Sequence, residues 1–258
     1  MQKESIKFEN STVLEGMTSL RALFSGKKSG YNDRQILRLL YDEAKQDKLY
    51  KELSYLRAMG KEHQFPLLPS SEGEINALAI GTSHGGLLAE CGPRTLPLLH
   101  NANDIASCGF YAMIQGIEDP YNFGYAVRSL YACGVDGVIL PERNWLSAAG
   151  VVARSSAGAS EMLPVYVSDP LDAADFFHDK GYTVVCADER TDNLLHKTPL
   201  KKPILLIIGG ERRGISRSLL DKADLLVKIG YGREFKASLS AASATTMMAY
   251  EIFRQNCV

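Results

Sequence analysis

The second half of the sequence alternates continuous apolar runs with stretches of helical character. The runs are GFYAMIQGI, GVILP, LPVYV, YTVVCAD, PILLIIGG and LLVKIG. Strands that are apolar throughout are typical of a parallel sheet covered by helices on both faces, because neither face then meets water. The pattern therefore predicts an α/β fold. In such sheets ligands bind beyond the carboxyl ends of the strands, so the residues that follow the runs are the candidates for a site.

The first half has a mixed pattern. It predicts helices over residues 17–24, 45–59 and 72–79, and strands at QILRLLYD and FPLLP. A glycine-rich turn, GTSHGG, leads into a further strand, and the polar stretch HNANDIASCG has no periodicity and predicts a linker. We therefore expect a smaller α/β domain over residues 1–100, a linker over 101–108 and the parallel-sheet domain over 109–258.

Charge and cysteine usage argue against several classes of protein. The 30 acidic and 29 basic residues nearly balance, so a polyanion would have to bind a local basic patch. Five cysteines at wide spacings, without a C-x-x-C pair, predict reduced thiols rather than zinc ligands or disulfides. No apolar run reaches the length of a membrane span, and the first residues lack the pattern of a signal peptide. We expect a cytoplasmic protein without a metal.

We call the segment that follows the carboxyl end of a strand its exit. The first candidate exit reads GIEDPYNFGYAVRSLYACG. Asp119 and Pro120 favour a turn, and Asn122 is a candidate N-cap of the helix that carries Arg128. The long side chain of Arg128 would remain within reach of the strand ends. Taken alone, the segment also fits a capping asparagine and a solvated arginine.

The second candidate exit, IIGGERRGIS, joins a buried strand to a helix through glycines, which permit tight turns and close approach of a ligand to the backbone. It has neither the Lys-Ser/Thr of a P-loop nor the spacing of a dinucleotide fingerprint. Glu211 would repel a phosphate and suits a hydroxyl-bearing or cationic ligand better. Arg212 and Arg213 could face a polyanion, although a solvated pair or a purely structural turn also fits.

The third candidate exit is KIGYGREFKASLSAASATTMMAYEIF. Its helix starts with small residues, among them Ser238 and Ser240, which let a ligand or another backbone approach closely. Small residues serve plain helix packing equally well. Farther along, Met247, Met248 and Phe253 recur at roughly helical spacing and could bury against a partner or the core.

In this order and at these separations, the three exits resemble the three signature motifs of the SpoU/TrmH family of RNA 2′-O-ribose methyltransferases. The segment VVARSSAGASEMLPVYV resembles the Ser-x-Gly-Ala segment that the family has between the first two motifs. The resemblance covers about residue 109 to residue 258. The N-terminal half resembles the substrate-binding domain often fused to this enzyme, at VLEGMTSLRALF and GTSHGGLLAE.

The resemblance implies a trefoil-knotted parallel-sheet domain, S-adenosylmethionine as cofactor, ribosomal or transfer RNA as substrate, and a homodimer through the C-terminal domain. By position, the residues that it implies for cofactor binding are Gly209, Ile229 and Leu239, helped by Gly210 and Ser238. The residues that it implies for catalysis are Arg128, Asn122, Glu211 and Ser240. A guanidinium stays protonated in proteins, so we expect Arg128 to hold a phosphate and to stabilise the developing alkoxide rather than to act as a base.

Both predicted domains would contribute to RNA binding. The candidate RNA contacts are Arg21, His84, Arg154, Arg212 and Arg213. His84 stands before two glycines and fits a turn residue equally well. These cations would have to act as local patches, since the whole chain carries no excess of positive charge.

The chain departs from the family pattern in its third motif. Ser240 stands where the family usually has asparagine, and Gly230-Tyr231 stands where it usually has Pro-Met. The loop between Ile229 and Leu239 is one residue longer than is common.

The substitution at Ser240 motivates a second hypothesis, an RNA-binding or assembly protein that keeps the fold with weak or no methyl transfer. A nucleotide-binding oxidoreductase is a third, made improbable by the missing G-x-G-x-x-G.

Overall fold

The structure is a computed structural model that describes residues 12–117, 119–141, 148–210 and 214–257. These residues form two compact units. The first unit contains residues 12–95 and 148–162, and the remaining described residues belong to the second unit. The change of unit after Thr95 precedes the linker predicted over residues 101–108, and the sequence analysis placed residues 148–162 in the second domain instead.

Strands and helices alternate along most of the chain. The strands are β1 (Thr12–Glu15), β2 (Ile36–Asp42), β3 (Leu67–Ser70), β4 (Leu87–Cys91), β5 (Phe110–Gln115), β6 (Gly137–Leu140), β7 (Val165–Val167), β8 (Thr183–Ala187), β9 (Ile204–Gly209) and β10 (Leu225–Val227). The helices are α1 (Gly16–Lys28), α2 (Tyr50–His63), α3 (Glu72–Leu78), α4 (Pro120–Ala132), α5 (Ala149–Ser155), α6 (Ala159–Met162), α7 (Pro170–Asp179), α8 (Arg217–Leu220) and α9 (Ala241–Asn256). Short 3₁₀ turns cover Glu43–Lys45, Leu99–Asn101 and Leu195–Lys197.

The first unit has a four-stranded sheet in the order β1-β4-β2-β3. β4 runs antiparallel to both of its neighbours, and β2 and β3 are parallel. Leucines of α1, β2 and α2 form its core. The strands and helices predicted for this half of the chain are confirmed, except that α2 begins at Tyr50 and a 3₁₀ turn covers Glu43–Lys45. The first unit therefore combines a mixed sheet with packed helices, as predicted for a smaller α/β domain.

Residues 148–162 complete the core of the first unit. Ala153 of α5 is fully buried in that core. A Cβ atom on Gly150 would overlap the carbonyl oxygen of Val13, and one on Gly26 would overlap the carbonyl oxygen of Glu161, so only glycine fits at both positions. The backbones of α5 and α6 therefore lie directly against β1 and α1.

A buried polar cluster holds α6 in the first unit. The carboxylate of Glu161 accepts hydrogen bonds from Nε of Arg34 (3.0 Å) and from Nδ2 of Asn32 (2.7 Å). Nη1 of Arg34 also donates to the carbonyl oxygen of Gly92 at 3.0 Å. Arg94 donates to the backbone carbonyl of Ser160 at 2.7 Å. Arg34 and Glu161 are 3% and 2% exposed, so loss of either partner would strongly lower the free energy of unfolding.

The second unit has a six-stranded sheet in the order β10-β8-β9-β5-β6-β7, with every neighbouring pair parallel. The six apolar runs of the sequence form these six strands, which confirms the predicted α/β fold. The central strand β9 is almost fully buried from Ile204 to Ile208. Because all strands are parallel, their carboxyl ends lie at one edge of the sheet. The trefoil knot that the resemblance implies stays a prediction.

Candidate active site

A cavity of about 1040 Å³ lies at the carboxyl edge of the six-stranded sheet. Its walls come from the segments that follow three neighbouring strands and from the start of α9. The described lining residues are Ala187, Asp188, Glu189, Arg190, Leu194, His196, Ile208, Gly209, Gly210, Gly214, Ile215, Leu220, Val227, Lys228, Ile229, Gly230, Tyr231, Gly232, Ser238, Leu239, Ala241, Ala244 and Met248. Cavities of roughly 300–1,000 Å³ accommodate cofactor-sized ligands, so this one is large enough.

The five residues predicted for cofactor binding all line this cavity. They are Gly209, Gly210, Ile229, Ser238 and Leu239. They come from the exits of β9 and β10, which are separated in the sheet by β8. Chain segments up to 30 residues apart are thus brought to one site by the parallel sheet.

The glycines at the end of β9 are required by backbone packing. A Cβ atom on Gly210 would overlap the carbonyl oxygen of Gly116, and one on Gly209 would lie 2.5 Å from the carbonyl carbon of Gly214. The amide of Gly214 donates to the carbonyl oxygen of Gly210 at 2.9 Å and closes the turn. The turn therefore presents backbone, with no side chain from Gly209 or Gly210, to the cavity.

The exit of β8 also contributes to the cavity, although the sequence analysis did not include it. Nε and Nη2 of Arg190 donate to the two carboxylate oxygens of Asp188, each at 2.9 Å. These hydrogen bonds hold the pKa of Asp188 below its usual range, so the carboxylate is ionised at neutral pH. The available signal was the position of Asp188 directly after a buried apolar strand.

Arg128 and Asn122 lie on α4, and neither is among the described residues that line the cavity. The predicted N-cap was wrong: Asp119 caps α4, and its carboxylate accepts from the amides of Tyr121 (3.4 Å) and Asn122 (2.9 Å). Asp119 rather than Asn122 is the N-cap because its carboxylate reaches the free amides of the first turn. Pro120 then occupies the first helical position, which proline favours. Arg128 is exposed on the third turn of the helix after this cap.

Helix α4 packs against α9. The hydroxyls of Ser129 and Thr246 lie 2.6 Å apart and join the two helices. Arg128 therefore lies next to the residue that fixes α4 to the helix whose start forms one wall of the cavity.

Ser240 is the N-cap of α9. Its hydroxyl oxygen accepts a hydrogen bond from the amide of Ser243 at 3.1 Å. Serine and asparagine are both favoured at this position, because the side chain of each satisfies an amide of the first turn. The departure of this chain from the family pattern therefore preserves the helix start.

This cap leads to a prediction about stability. Ser240→Ala leaves the amide of Ser243 without its side-chain acceptor, and we expect it to lower the free energy of unfolding by about 1 kcal/mol. Ser240→Asn should change the free energy of unfolding by less than about 0.5 kcal/mol. Urea denaturation followed by circular dichroism would measure both. An equal loss in the two variants would show that the cap does not stabilise the helix.

The predicted RNA contacts of the first unit have different surroundings. Arg21 is exposed, with its guanidinium 6.0 Å from the ring centroid of Tyr55. Arg154 is partly exposed and pairs with Glu15 at 3.8 Å. His84 is only 5% exposed.

Both ring nitrogens of His84 are engaged within the first unit. Nδ1 accepts from the amide of Gly86 at 3.1 Å, and Nε2 lies 3.0 Å from Oδ1 of Asn76. The structure thus favours the turn role for His84 over an RNA contact. The predicted residues Glu211, Arg212 and Arg213 lie outside the described residues.

The described residues contain no group of three His, Cys, Asp or Glu side chains arranged to hold a metal ion. Within the same residues, no helix combines the length and the apolar character needed to cross a membrane.

Residues 109–250 match the model of the SpoU rRNA Methylase family. This is more than half of the chain's 258 residues and includes the first two predicted motifs and the third as far as Tyr250. The chain belongs to the SpoU rRNA methylase family. The matched range also contains every described residue that lines the cavity.

Similar proteins extend this family assignment. A putative TrmH family tRNA/rRNA methyltransferase from Staphylococcus saprophyticus is 33% identical over 144 residues, which are 55% of this chain and 57% of that protein. The protein of the same description from Staphylococcus haemolyticus is 34% identical over the same extent. The chain thus spans little more than half the length of these relatives.

Solved structures share the SpoU fold over nearly the whole chain. The AdoMet-bound rRNA methyltransferase from Sinorhizobium meliloti has a TM-score of 0.78 and 20% identity, covering 96% of this chain and 89% of that one. The SpoU methyltransferase AviRb from Streptomyces viridochromogenes, in complex with AdoMet, has a TM-score of 0.76 and 21% identity, covering 95% and 90%. At this identity the likeness establishes the fold.

Proposed function

We propose that this protein transfers a methyl group from S-adenosylmethionine to a ribose 2′-hydroxyl of ribosomal or transfer RNA. The observation that carries the proposal is the single cavity lined by all five residues that the family resemblance assigns to the cofactor. The family membership supports the reaction class. An enzyme acting on these RNAs would work in the cytoplasm.

The described residues fit S-adenosylmethionine. Ile229, Leu239 and Met248 provide apolar surface for an adenine ring, and the Gly209–Gly210 turn offers backbone groups without side chains. Asp188 and Arg190 line the cavity as an ion pair, so it offers both a carboxylate and a guanidinium to the charged amino-acid end of this ligand. When bound, the cofactor would supply an electrophilic methyl group, and the protein would position the ribose oxygen in line with it.

Arg128 provides the positive charge for the transfer in this proposal. Its guanidinium cannot accept the hydroxyl proton, but it can hold a neighbouring phosphate and stabilise the negative charge that develops on the ribose oxygen. Asn122 and Glu211 would orient the guanidinium and the loops around it. Ser240 would act through the start of α9, since its hydroxyl already caps that helix.

RNA binding would be shared between residues 1–100 and the C-terminal domain. Arg21 offers an exposed cation beside an aromatic ring, and Arg154 offers a partly exposed one. Arg212 and Arg213 stay candidates for phosphate contacts. A balanced net charge favours such local contacts, and binding should weaken as salt rises.

We also infer a homodimer through α4 and α9. These helices expose large apolar side chains that neither unit buries: Tyr121, Tyr125, Tyr131, Met247, Tyr250 and Phe253. Apolar patches of this kind mark interaction surfaces, and aromatic residues and methionine are enriched in them. Met248, in contrast, is buried and lines the cavity, so it would support the surface from below. Arg128 also lies on α4, so in such a dimer it would lie near this surface.

Charge placed on this surface should dissociate the dimer. Tyr250 is 56% exposed, and Tyr250→Asp is expected to weaken self-association at least about 30-fold, as expected for a residue that contributes 2 kcal/mol or more to an interface. Sedimentation equilibrium would measure the dissociation constant. Tyr50→Asp is the matched control, because Tyr50 is 70% exposed on α2 of the first unit. Equal dissociation constants for wild type and Tyr250→Asp would argue against this interface.

Two measurements test the proposed function. Calorimetry should show binding of S-adenosylmethionine and S-adenosylhomocysteine, and ribose-methylation mapping of total RNA with and without the gene should reveal one lost 2′-O-methyl signal. Failure of the folded protein to bind either compound would favour an RNA-binding or assembly role. Loss of a single signal would identify the RNA and the nucleotide together.

A further inference from the structure

The loop between β10 and α9 carries two exposed aromatic rings. We define the aromatic loop as residues 230–237; its rings are those of Tyr231 and Phe235, which are 44% and 54% exposed. Their ring centroids are 5.8 Å apart with an interplanar angle of 69°. The two rings contact each other edge to face, and both side chains remain exposed.

The aromatic loop also carries exposed cations. Arg233 and Lys236 are both exposed, and neither forms an ion pair with another residue of the described chain. Glu234 is the loop's single acidic residue. Cations without carboxylate partners remain available for phosphate groups.

The aromatic loop forms part of the cofactor cavity. Gly230, Tyr231 and Gly232 line the cavity directly, and Phe235, which is not among the described lining residues, contacts Tyr231. A group stacked on Phe235 would therefore lie one ring away from the cavity. This places an aromatic surface beside the cavity in which the cofactor would bind.

These properties match those of a site for an unstacked RNA base. Every base has a π-face, so aromatic side chains with neighbouring cations bind single-stranded nucleic acid with little dependence on sequence. Sequence-specific proteins likewise target bases that have left the helix and stack them on aromatic rings. Enzymes that modify a nucleotide inside a closed pocket act on a single strand or turn the nucleotide out of the stack, which leaves its base in need of a partner.

From this geometry we infer that Tyr231 and Phe235 stack the base of the nucleotide that is methylated or of its direct neighbour, while Arg233 and Lys236 bind the flanking phosphates. The inference rests on the proposed function and deepens it, because it names unpaired nucleotides as the substrate. The family usually has Pro-Met where this chain has Gly230-Tyr231, so Tyr231 is a departure from the family pattern. The substrate is then an RNA loop or bulge rather than a continuous duplex.

The decisive variant is Phe235→Leu, because leucine keeps apolar surface and removes the flat ring. We expect it to weaken binding of a mixed-sequence single-stranded 12-nucleotide RNA by about 5- to 150-fold, the range for loss of one base–aromatic stack. Phe235→Tyr, which keeps the ring, should bind within about twofold of wild type. Affinity for S-adenosylmethionine, measured by calorimetry, should be unchanged in both variants, because Phe235 is not among the described cavity residues.

A spectroscopic variant reports stacking directly. The chain has one tryptophan, so Phe235→Trp adds a second fluorophore whose emission can be compared with that of wild type. Stacking with a base should quench the added emission when the single-stranded RNA is titrated. The perfectly paired duplex of the same sequence should leave it unchanged.

The outcomes separate this inference from the proposed function. Wild-type affinity of Phe235→Leu for the single strand, equal affinity of wild type for strand and duplex, or an unquenched Phe235→Trp would each overturn the inference while cofactor binding persists. A wild-type protein that binds no cofactor would overturn the proposed function instead. Loss of dimerisation in Phe235→Leu would assign the aromatic loop to the interface between copies and would also overturn the inference.

Discussion

Replacing Arg128 with alanine is expected to reduce methyl transfer to RNA by at least about 100-fold, the typical cost of removing one group that stabilises an oxyanion. Affinity for S-adenosylmethionine should stay within about twofold of wild type, because Arg128 is not among the described residues of the cavity. Incorporation of labelled methyl groups into RNA from cells that lack the gene would measure transfer, and calorimetry would measure cofactor binding. A loss of transfer without a loss of cofactor affinity would assign Arg128 to the reaction step.

Two further variants make the Arg128 result interpretable. Arg128→Lys keeps the charge but loses the planar, two-pronged donor geometry, so its activity should lie between those of wild type and alanine. Arg217→Ala removes another exposed arginine, which lies on α8 and pairs at 2.9 Å with Asp221 just after that helix, and should leave transfer unchanged. Full activity in Arg128→Ala would remove Arg128 from the proposed reaction.

Replacing Glu161 with alanine is expected to lower the free energy of unfolding of the first unit by about 3–5 kcal/mol. The substitution leaves the Arg34 guanidinium, which is 3% exposed, without its carboxylate partner at 3.0 Å. Such a loss is a large part of the roughly 5–15 kcal/mol that stabilises an ordinary domain. Hydrogen exchange at amides of α1 and β2, followed by mass spectrometry, would detect it.

The matched control for Glu161 is an exposed ion pair in the same unit. Glu72 lies 3.6 Å from Lys45, with 67% of its side chain exposed, so Glu72→Ala should cost less than about 1 kcal/mol. Glu161→Gln keeps the shape of the side chain and one acceptor while it removes the charge. A cost of under 1 kcal/mol for Glu161→Ala would contradict a stabilising role for the buried pair.

The parallel sheet could be predicted from the sequence because burial on both faces leaves a direct trace. Residues such as those of β9, from Ile204 to Ile208, are apolar without alternation, and that pattern has few other interpretations. The cavity could be located by the same reasoning, since parallel strands bring their exits to one edge. The resemblance to the family then indicated which residues at the exits of β9 and β10 would line one cavity.

The features that the sequence did not reveal depend on long-range contacts. The sequence does not show that Gly26 and Gly150 allow backbone contacts across more than 100 residues of chain. The choice between Asp119 and Asn122 as the cap of α4 depended on which side chain reaches the free amides. Asp188 was missed because a single acidic residue after a strand has no motif around it.

The first unit is built from two segments that are far apart in the sequence, and this affects how the protein folds during synthesis. Residues 12–95 emerge from the ribosome first, yet their core still lacks Ala153, and Arg34 has no carboxylate partner until Glu161 has been made. Domains generally fold as units in the order in which they are synthesised. Here the first unit cannot complete its folding until β5, α4 and β6 of the second unit have also left the ribosome. A fragment that ends at Thr95 would leave the buried Arg34 without the carboxylate of Glu161. The first unit therefore depends on synthesis of part of the second unit.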